Sequence, residues 1–248
     1  MRGAAEPEEG ALTEGADPRA ADPRAADPRG ADPRGAEDRY GKLFWARKQE
    51  QFAKPWYRLE KSARLIRSLA AGRACSLLDV GCGPATLMQM LPENVRYRGI
   101  DLVVSDPPPP HLLPADLLHS PVRFGDEHFD FVIAQGIFEY LAEVQCARFA
   151  EIASVLTGNG LFIVTYTNFN HHRAEIYEAF SNVQPIDDFR AELSRYFIIR
   201  RTIPGSHNWQ HGQPIQPWLK AVNLRVTREI PWVSRRLAVE YFFVCSPR

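Results

Sequence analysis

Cysteine is scarce in this sequence, with four residues among 248. Cys75, Cys82, Cys146 and Cys245 form no CxxC pair and have no histidine at metal-ligand spacing. Structural zinc sites and disulfide frameworks both depend on clustered cysteines, so the pattern argues against both. We therefore expect no metal ion and a reducing, cytoplasmic environment.

Long apolar runs and an excess of one charge are missing as well. No stretch approaches the roughly 18 apolar residues of a membrane span, and we find no apolar segment of signal-peptide length at the N-terminus. Lys and Arg total 30 and balance 30 Asp and Glu, so the formal net charge is zero. A neutral chain has no global attraction to nucleic acid or to an anionic membrane. We expect a soluble chain with neither as a partner.

Residues 1–38 contain a low-complexity repeat. The tetrapeptide Ala-Asp-Pro-Arg recurs four times at a five-residue period between Ala16 and Arg34. Proline interrupts helices, and few apolar residues are available for burial. We predict a disordered tail over 1–38, either solvated or partner-binding, and one folded domain over 39–248.

Within 39–248, short apolar strands alternate with helical patterns. The predicted helices cover 49–69, 85–91, 142–156 and 173–196, and the predicted strands cover 76–80, 95–102, 129–134, 161–167, 197–201 and 237–245. Alternating strands and helices are typical of a parallel sheet that is covered on both faces. The fold class is therefore α/β, a Rossmann-like three-layer sandwich with a mostly parallel sheet of about seven strands and an antiparallel last strand.

A glycine turn, Gly81-Cys-Gly-Pro84, follows the first strand. In open parallel sheets ligands bind at the carboxyl ends of strands, and glycines in the first turn let the backbone approach the ligand closely. Asp101 lies 22 residues after Asp79, at the end of the second strand. A carboxylate in that place can hold both ribose hydroxyls of a nucleotide-like cofactor.

The segment Leu78-Asp-Val-Gly-Cys-Gly-Pro-Ala85 resembles the first motif of the class I S-adenosylmethionine-dependent methyltransferases, with Ala85 in place of a frequent third glycine. The resemblance extends over roughly 74–170 and implies S-adenosylmethionine as the cofactor. A nicotinamide-binding Rossmann domain is a poorer match, because Thr86 replaces the last glycine of Gly-x-Gly-x-x-Gly.

The resemblance also implies roles for the residues of the first motif. Gly81, Cys82 and Gly83 would line the methionine moiety, with Asp79 near its amino group.

Five further positions follow from the later motifs of the family. Asp101 would accept from the ribose hydroxyls while Leu102 packs on adenine, and Asp116 would receive the adenine amino group. The backbone of Gln135 and Gly136 would meet the methionine end.

One departure from the family falls between Asp101 and Asp116, where four consecutive prolines replace the usual helix and third strand. Proline excludes a helix interior, so we predict a shortened sheet edge.

The fifth predicted strand leads into Thr165-Tyr-Thr-Asn-Phe-Asn-His-His172, which is similar to the MetW-like branch of the superfamily, with Thr167 in place of a proline. His171 or His172 is our candidate for a general base toward a hydroxyl acceptor. A helix cap or a solvated side chain is the alternative for each.

Other segments bear on the acceptor less directly. The stretch 206–211 combines two histidines with a tryptophan and is either a lid or an exposed loop, and Tyr40 and Trp45 either fold over the cofactor or pack in the core. From residue 195 onward nine Lys or Arg stand against two acids. This excess fits either an anionic acceptor or a solvated basic face.

We predict a methyltransferase that acts on a small molecule, with O-methylation in secondary or natural-product metabolism as the leading reaction. N-methylation of an amine is the alternative among enzymes. A methyltransferase-fold binding protein that engages a partner enzyme is the alternative from another class. The sequence leaves the oligomeric state open.

Overall fold

A computed structural model describes residues 41–169, 184–207 and 217–248. The predicted tail lies outside these ranges. The helices are α1 (Lys42–Phe52), α2 (Tyr57–Ala70), α3 (Gln145–Val155), α4 (Ile186–Tyr196), α5 (Pro217–Arg225) and α6 (Pro231–Leu237). The strands are β1 (Cys75–Val80), β2 (Val95–Asp101), β3 (Leu112–Pro114), β4 (Phe129–Gln135), β5 (Leu156–Thr167), β6 (Phe197–Pro204) and β7 (Glu240–Pro247). None of the helices described is long and apolar enough to cross a membrane.

In these ranges the seven strands form one sheet in the order β3-β2-β1-β4-β5-β7-β6. The pairings from β3 through β5 are parallel, whereas β7 runs antiparallel to both β5 and β6. The prediction of a mostly parallel sheet with an antiparallel last strand is confirmed. The carboxyl ends of six strands and the start of β7 therefore meet along one edge.

Two hydrophobic clusters cover the two faces of the sheet. Successive side chains of a strand point to opposite faces, and accordingly Phe242 and Phe243 of β7 belong to different clusters. Helices α3 and α4 cover one face, where Phe138 and Phe149 stack with ring centres 4.6 Å apart. Helix α2 covers the other face through Ala63, Ile66 and Ala70. The result is the three-layer sandwich.

The structure corrects the predicted helix over 85–91. That segment is a series of turns with a short 3-10 helix at Met88–Met90, and Ala85 has a positive φ of 56°. Only seven residues separate Pro84 from Pro92. Because a proline pushes the residue before it out of the α region, too little chain remains for a stable helix.

Other boundaries also differ from the sequence prediction. The helix predicted over 49–69 is instead two helices, α1 and α2, because Pro55 interrupts the helical hydrogen bonds. The closing strand begins at Glu240, since Leu237 ends α6. Of the predicted helix 173–196, the described part is α4.

The shortened sheet edge is present. Strand β3 has three residues and pairs with β2 from Gly99 to Asp101, and residues 102–111 form no helix. A side chain at Gly99 would lie 2.7 Å from the Cys82 sulfur and 2.8 Å from Leu112. This glycine therefore lets the proline-rich segment and the glycine turn approach β2 together.

Candidate active site

The glycine turn after β1 needs a backbone conformation that other residues rarely adopt. Gly81 and Gly83 have φ angles of +73° and +53°. The amides of Gly81 and Cys82 donate to the Ile100 carbonyl at 2.8 and 3.2 Å, which ties the turn to β2. A Cβ at Gly81 would collide with the Ile137 side chain. The turn thus presents backbone, rather than side chains, at the carboxyl edge.

Asp101 and Gly83 lie in direct contact, as their predicted shared site requires. The Gly83 amide donates to Asp101 Oδ2 at 2.8 Å, and the Val103 amide donates to Oδ1 at 2.8 Å. Burial raises the pKa of this carboxyl, and the hydrogen bonds from backbone amides oppose the rise. A carboxylate has about four lone-pair sites, so capacity for further donors remains.

Asp79 lies at the end of β1 and is only 2% exposed. The Tyr97 hydroxyl donates to its Oδ2 at 2.9 Å. Burial raises the pKa of the Asp79 carboxyl to about 7, the Tyr97 hydrogen bond opposes the rise, and the Asp101 charge adds to it. Near neutral pH the carboxyl next to the turn is therefore poised between its two protonation states.

Space for a ligand lies next to Gly83. A Cβ built there would have Phe52 Cβ at 3.8 Å as its nearest neighbour. A cleft of about 490 Å³ opens here, and it is lined by Gly83, Met88, His111 and residues 103–105 among others. It borders the turn on the β3 side and does not include Asp79, Asp101 or Gly136. An accessible backbone at the turn, next to a carboxylate, fits the nucleoside and amino-acid parts of S-adenosylmethionine.

The other predicted cofactor-binding residues near the turn differ in how exposed their side chains are. The Cys82 side chain is buried against β2, and burial raises the pKa of its thiol, so only its backbone faces the turn. Leu102 is half-buried. The side chain of Asp116 is 39% exposed and its Oδ1 accepts from the Leu118 amide at 3.0 Å.

Gln135 and Gly136 lie at the end of β4, close to α2. Ser62 Oγ donates to Gln135 Oε1 at 2.7 Å. Gly136 has a φ of +63°, and its amide donates to Thr165 Oγ1 at 2.9 Å. A Cβ at Gly136 would collide with the Arg58 guanidinium. The backbone after β4 is thus closely covered by α2.

Arg58 is a site residue that the sequence analysis missed. It is 5% exposed, its Nη2 lies 2.5 Å from Glu240 Oε2, and its guanidinium stacks 4.8 Å from the Trp56 ring centre. Glu240 opens β7 and pairs with Thr167 at the end of β5. A buried ion pair therefore lies at the carboxyl edge and extends from the end of β4 to the start of β7.

A second carboxylate lies at the same edge. Glu139 is 4% exposed, and its Oε1 accepts from the Thr167 amide at 3.1 Å and from Thr167 Oγ1 at 2.8 Å. This arrangement fixes the loop after β4 against the end of β5.

Lys61 joins α2 to the end of β6. Its ammonium donates to the carbonyls of Pro204, Gly205 and Asn223 at 2.5, 2.9 and 2.9 Å. Burial lowers the pKa of Lys61 to about 8, although the Glu240 charge opposes this. The Tyr57 hydroxyl also donates to the Gly205 carbonyl. Helix α2 is therefore tied to the connection between β6 and β7.

His207 belongs to this connection and is buried. Its Nδ1 and its amide each lie 3.0 Å from Asn223 Oδ1, and its Nε2 lies 3.1 Å from Ser234 Oγ. Because the Asn223 amide group donates back to the His207 carbonyl, its Oδ1 is the acceptor and the ring carries its proton on Nδ1. Burial lowers the pKa of His207. Both ring nitrogens are engaged, so His207 holds α5 and α6 in place.

Helix α1 lies over the cofactor side. Trp45 packs edge-on against Tyr140 with ring centres 5.0 Å apart, and Thr86 Oγ1 donates to the Phe52 carbonyl at 2.7 Å. Trp45 therefore reaches the loop after β4. Tyr40, His171, His172 and His211 lie outside the described residues. Among the residues described, no group of three metal-ligating side chains occurs.

Comparison with known proteins yields a domain family and many similar folds. Residues 78–164 match the methyltransferase domain family. No curated protein sequence matches the chain.

Three solved structures illustrate the similarity of fold. A TehB-like SAM-dependent methyltransferase from Corynebacterium glutamicum is 16% identical, with 82% of this chain and 100% of that chain covered and a TM-score of 0.55. The CcbJ methyltransferase from Streptomyces caelestis is 11% identical, with coverages of 82% and 95% and a TM-score of 0.57. The plantazolicin methyltransferase BpumL, in complex with a triazolic desmethylPZN analog and SAH, is 13% identical, with coverages of 86% and 95% and a TM-score of 0.55.

Proposed function

We propose that this chain, whose residues 78–164 match the methyltransferase domain family, is a class I S-adenosylmethionine-dependent methyltransferase that methylates a small molecule, on oxygen, in secondary or natural-product metabolism. One similar fold supports this class of acceptor, because it is a plantazolicin methyltransferase with a desmethyl analog bound. Asp79, Gly81, Gly83 and Asp101 would together form the cofactor-binding cradle. Their presence argues against a protein that only binds a partner enzyme.

The contact between Asp101 and Gly83 carries the proposal. A carboxylate that accepts a hydrogen bond from the glycine turn at 2.8 Å would also accept from the ribose hydroxyls, and the backbone of 81–83 would border the methionine. We assign Leu102 and Asp116 to the adenine. Asp79 would hold the ammonium group, and the backbone of 135–136 would border the methionine end.

The cofactor supplies a methyl group on a sulfonium, which is already activated for transfer. The chain then has to orient the acceptor and exclude water, effects worth up to about 7–11 kcal/mol in favourable systems. Helix α1, with Trp45 against Tyr140, covers the cofactor side. Helix α2 and the Lys61 contacts to Pro204 and Gly205 close the acceptor side. His171 or His172 would accept the proton of a hydroxyl acceptor, an effect of about 10²–10⁴-fold.

N-methylation of an amine is the second candidate. Glu139, in the loop after β4, is buried against the end of β5, and a carboxylate in that place would attract a protonated amine. The ammonium would have to lose a proton to solvent before its nitrogen lone pair could attack the methyl group. O-methylation leaves a methyl group on oxygen and N-methylation leaves one on nitrogen. The ¹³C chemical shift of an isotope-labelled methyl group in the product distinguishes the two reactions.

Calorimetric titration of S-adenosylhomocysteine tests the cradle. We expect micromolar binding that weakens at least tenfold, about 1.4 kcal/mol, in Asp101→Ala. Asp126→Ala removes an exposed carboxylate outside the site and should bind as the parent does. A folded parent that does not bind would overturn the proposal.

A further inference from the structure

Helices α5 and α6 expose large apolar side chains to solvent. Trp232 is 91% exposed and Trp218 is 65% exposed, and Ile230, Val222 and Val233 are between 41% and 50% exposed. Single exposed apolar residues are ordinary, but contiguous groups mark interaction sites. We call these five residues the α5–α6 apolar face.

The position of this face is fixed by buried contacts. Asn223 of α5 and Ser234 of α6 both bond the His207 ring, and the Asn223 carbonyl accepts from Lys61 of α2. The exposed tryptophans thus stand on helices that are held from their inner sides. The connection between Pro204 and Glu240 that carries them starts and ends at the carboxyl edge of the sheet.

The same two helices are strongly basic. Residues 217–239 contain five basic residues but only one acid, Glu229. The basic residues are Lys220, Arg225, Arg228, Arg235 and Arg236. Glu229 already pairs with Arg190 at 3.6 Å. Arg225, Arg228 and Arg236 are exposed and form no ion pair with any described residue. The segment that carries the apolar face therefore has uncompensated positive charge, although the whole chain is neutral.

We propose that the chain docks peripherally on an anionic lipid bilayer through the α5–α6 apolar face. Tryptophan is enriched at membrane–water interfaces because its ring is apolar and its N–H is polar. Interfacial helices combine such residues with Lys and Arg, which meet anionic headgroups. Two short helices that each expose a tryptophan beside free arginines present this combination.

Docking at the interface agrees with the absence of a spanning helix in the described residues. It departs from our expectation of no membrane partner, which rested on the neutral total charge. The charges that balance these arginines lie elsewhere in the sequence, so the total hides the local excess. The inference goes beyond the proposed function and does not depend on methyl transfer.

Co-sedimentation with vesicles tests the inference on the full chain without cofactor. We expect binding to phosphatidylcholine vesicles that contain about one third phosphatidylglycerol, and at least tenfold weaker binding to pure phosphatidylcholine. Binding should weaken as salt is raised, because the attraction is electrostatic. Trp218→Ala combined with Trp232→Ala should weaken binding at least tenfold, and both side chains are exposed, so the variant should fold.

Matched variants separate the face from general hydrophobicity and charge. A triple variant should bind the anionic vesicles at least tenfold more weakly, and it combines Arg225→Gln, Arg228→Gln and Arg236→Gln. The same change at Arg64, Arg123 and Arg201, which are exposed elsewhere, should alter binding less than twofold.

Leu118→Ala with Ile198→Ala removes exposed apolar groups away from the face and should likewise alter binding less than twofold. Equal binding to neutral vesicles, or binding that survives loss of both tryptophans, would overturn the proposal. So would a dimer in solution that dissociates in the tryptophan variant, because a second copy would then cover the face.

Discussion

Replacing Asp79 by asparagine should flatten the pH dependence of stability, because it removes an ionisable group that is buried next to the glycine turn. Asparagine has nearly the same shape, and its carbonyl oxygen can still accept the hydrogen bond from Tyr97 that the structure shows at 2.9 Å. The substitution therefore changes charge with little change in packing.

The size of the effect follows from the pKa. The Asp79 carboxyl has a pKa of about 7 in the folded chain, against an ordinary value of 3.8. The folded state binds the proton more tightly than the unfolded state, so stability falls as the pH rises between these two values and levels off above the higher one. One pKa unit corresponds to about 1.4 kcal/mol. From about pH 5 to about pH 8 this group should remove about 2–3 kcal/mol of the free energy of unfolding.

Urea unfolding of the parent and of Asp79→Asn over that range measures the effect. We expect the variant to gain stability relative to the parent by about 2–3 kcal/mol on going from the acid to the alkaline end. The control Asp126→Asn changes an exposed carboxylate and should run parallel to the parent. Parallel curves for the parent and Asp79→Asn would refute the reasoning. If Asp79 also holds the ammonium of the cofactor, the stabilised variant should bind S-adenosylhomocysteine more weakly.

Two substitutions that disturb the surroundings of Arg58 have internal controls. Gly136→Ala should lower the free energy of unfolding by about 1–3 kcal/mol or more, because it combines a left-handed φ with a collision against Arg58. The control Gly125→Ala has a similar φ of +58° but open space around it, so it should lose less stability. Thermal unfolding measures both. Glu240→Gln leaves Arg58 buried without its anionic partner and should cost about 3–5 kcal/mol in urea unfolding. Glu127→Gln, whose partners Arg96 and Arg98 have side chains that are 55% and 24% exposed, should cost less, about 0–1 kcal/mol. Equal losses within either pair would contradict the burial argument.

The proximity of Gly83 to Asp101 could be predicted because its signals are local. The order of strand, glycine turn and second strand places Gly83 and Asp101 at neighbouring strand ends, and the parallel register of β1 and β2 then brings them into contact. The predicted helix over 85–91 was wrong for an equally local reason. Its apolar spacing is helical, but prolines on both sides leave too few residues for the spacing to be realised.

The buried contacts of α2 could not be predicted, because they join residues far apart in sequence. Arg58 and Glu240 meet across 182 positions, and Lys61 meets Pro204 across 143. A charged residue on a helix is usually solvated, and nothing in the pattern of α2 distinguishes Arg58, which is buried, from Arg64, which is exposed. Only the packing of α2 over the strand ends decides between them.

This division has a consequence for specificity. The proposed cofactor site lies in one continuous stretch of chain, whereas the proposed acceptor edge combines α2, the ends of β5 and β6, and the start of β7. Lys61 joins the first of these to the connection that carries α5 and α6. A change in that connection can therefore alter the acceptor pocket without touching the cofactor. Variants of the 205–239 segment should change the affinity for an acceptor, while the affinity for S-adenosylhomocysteine stays within about twofold. Titrations of each variant with both ligands measure the two affinities. A parallel change in both would contradict the separation of the two sites.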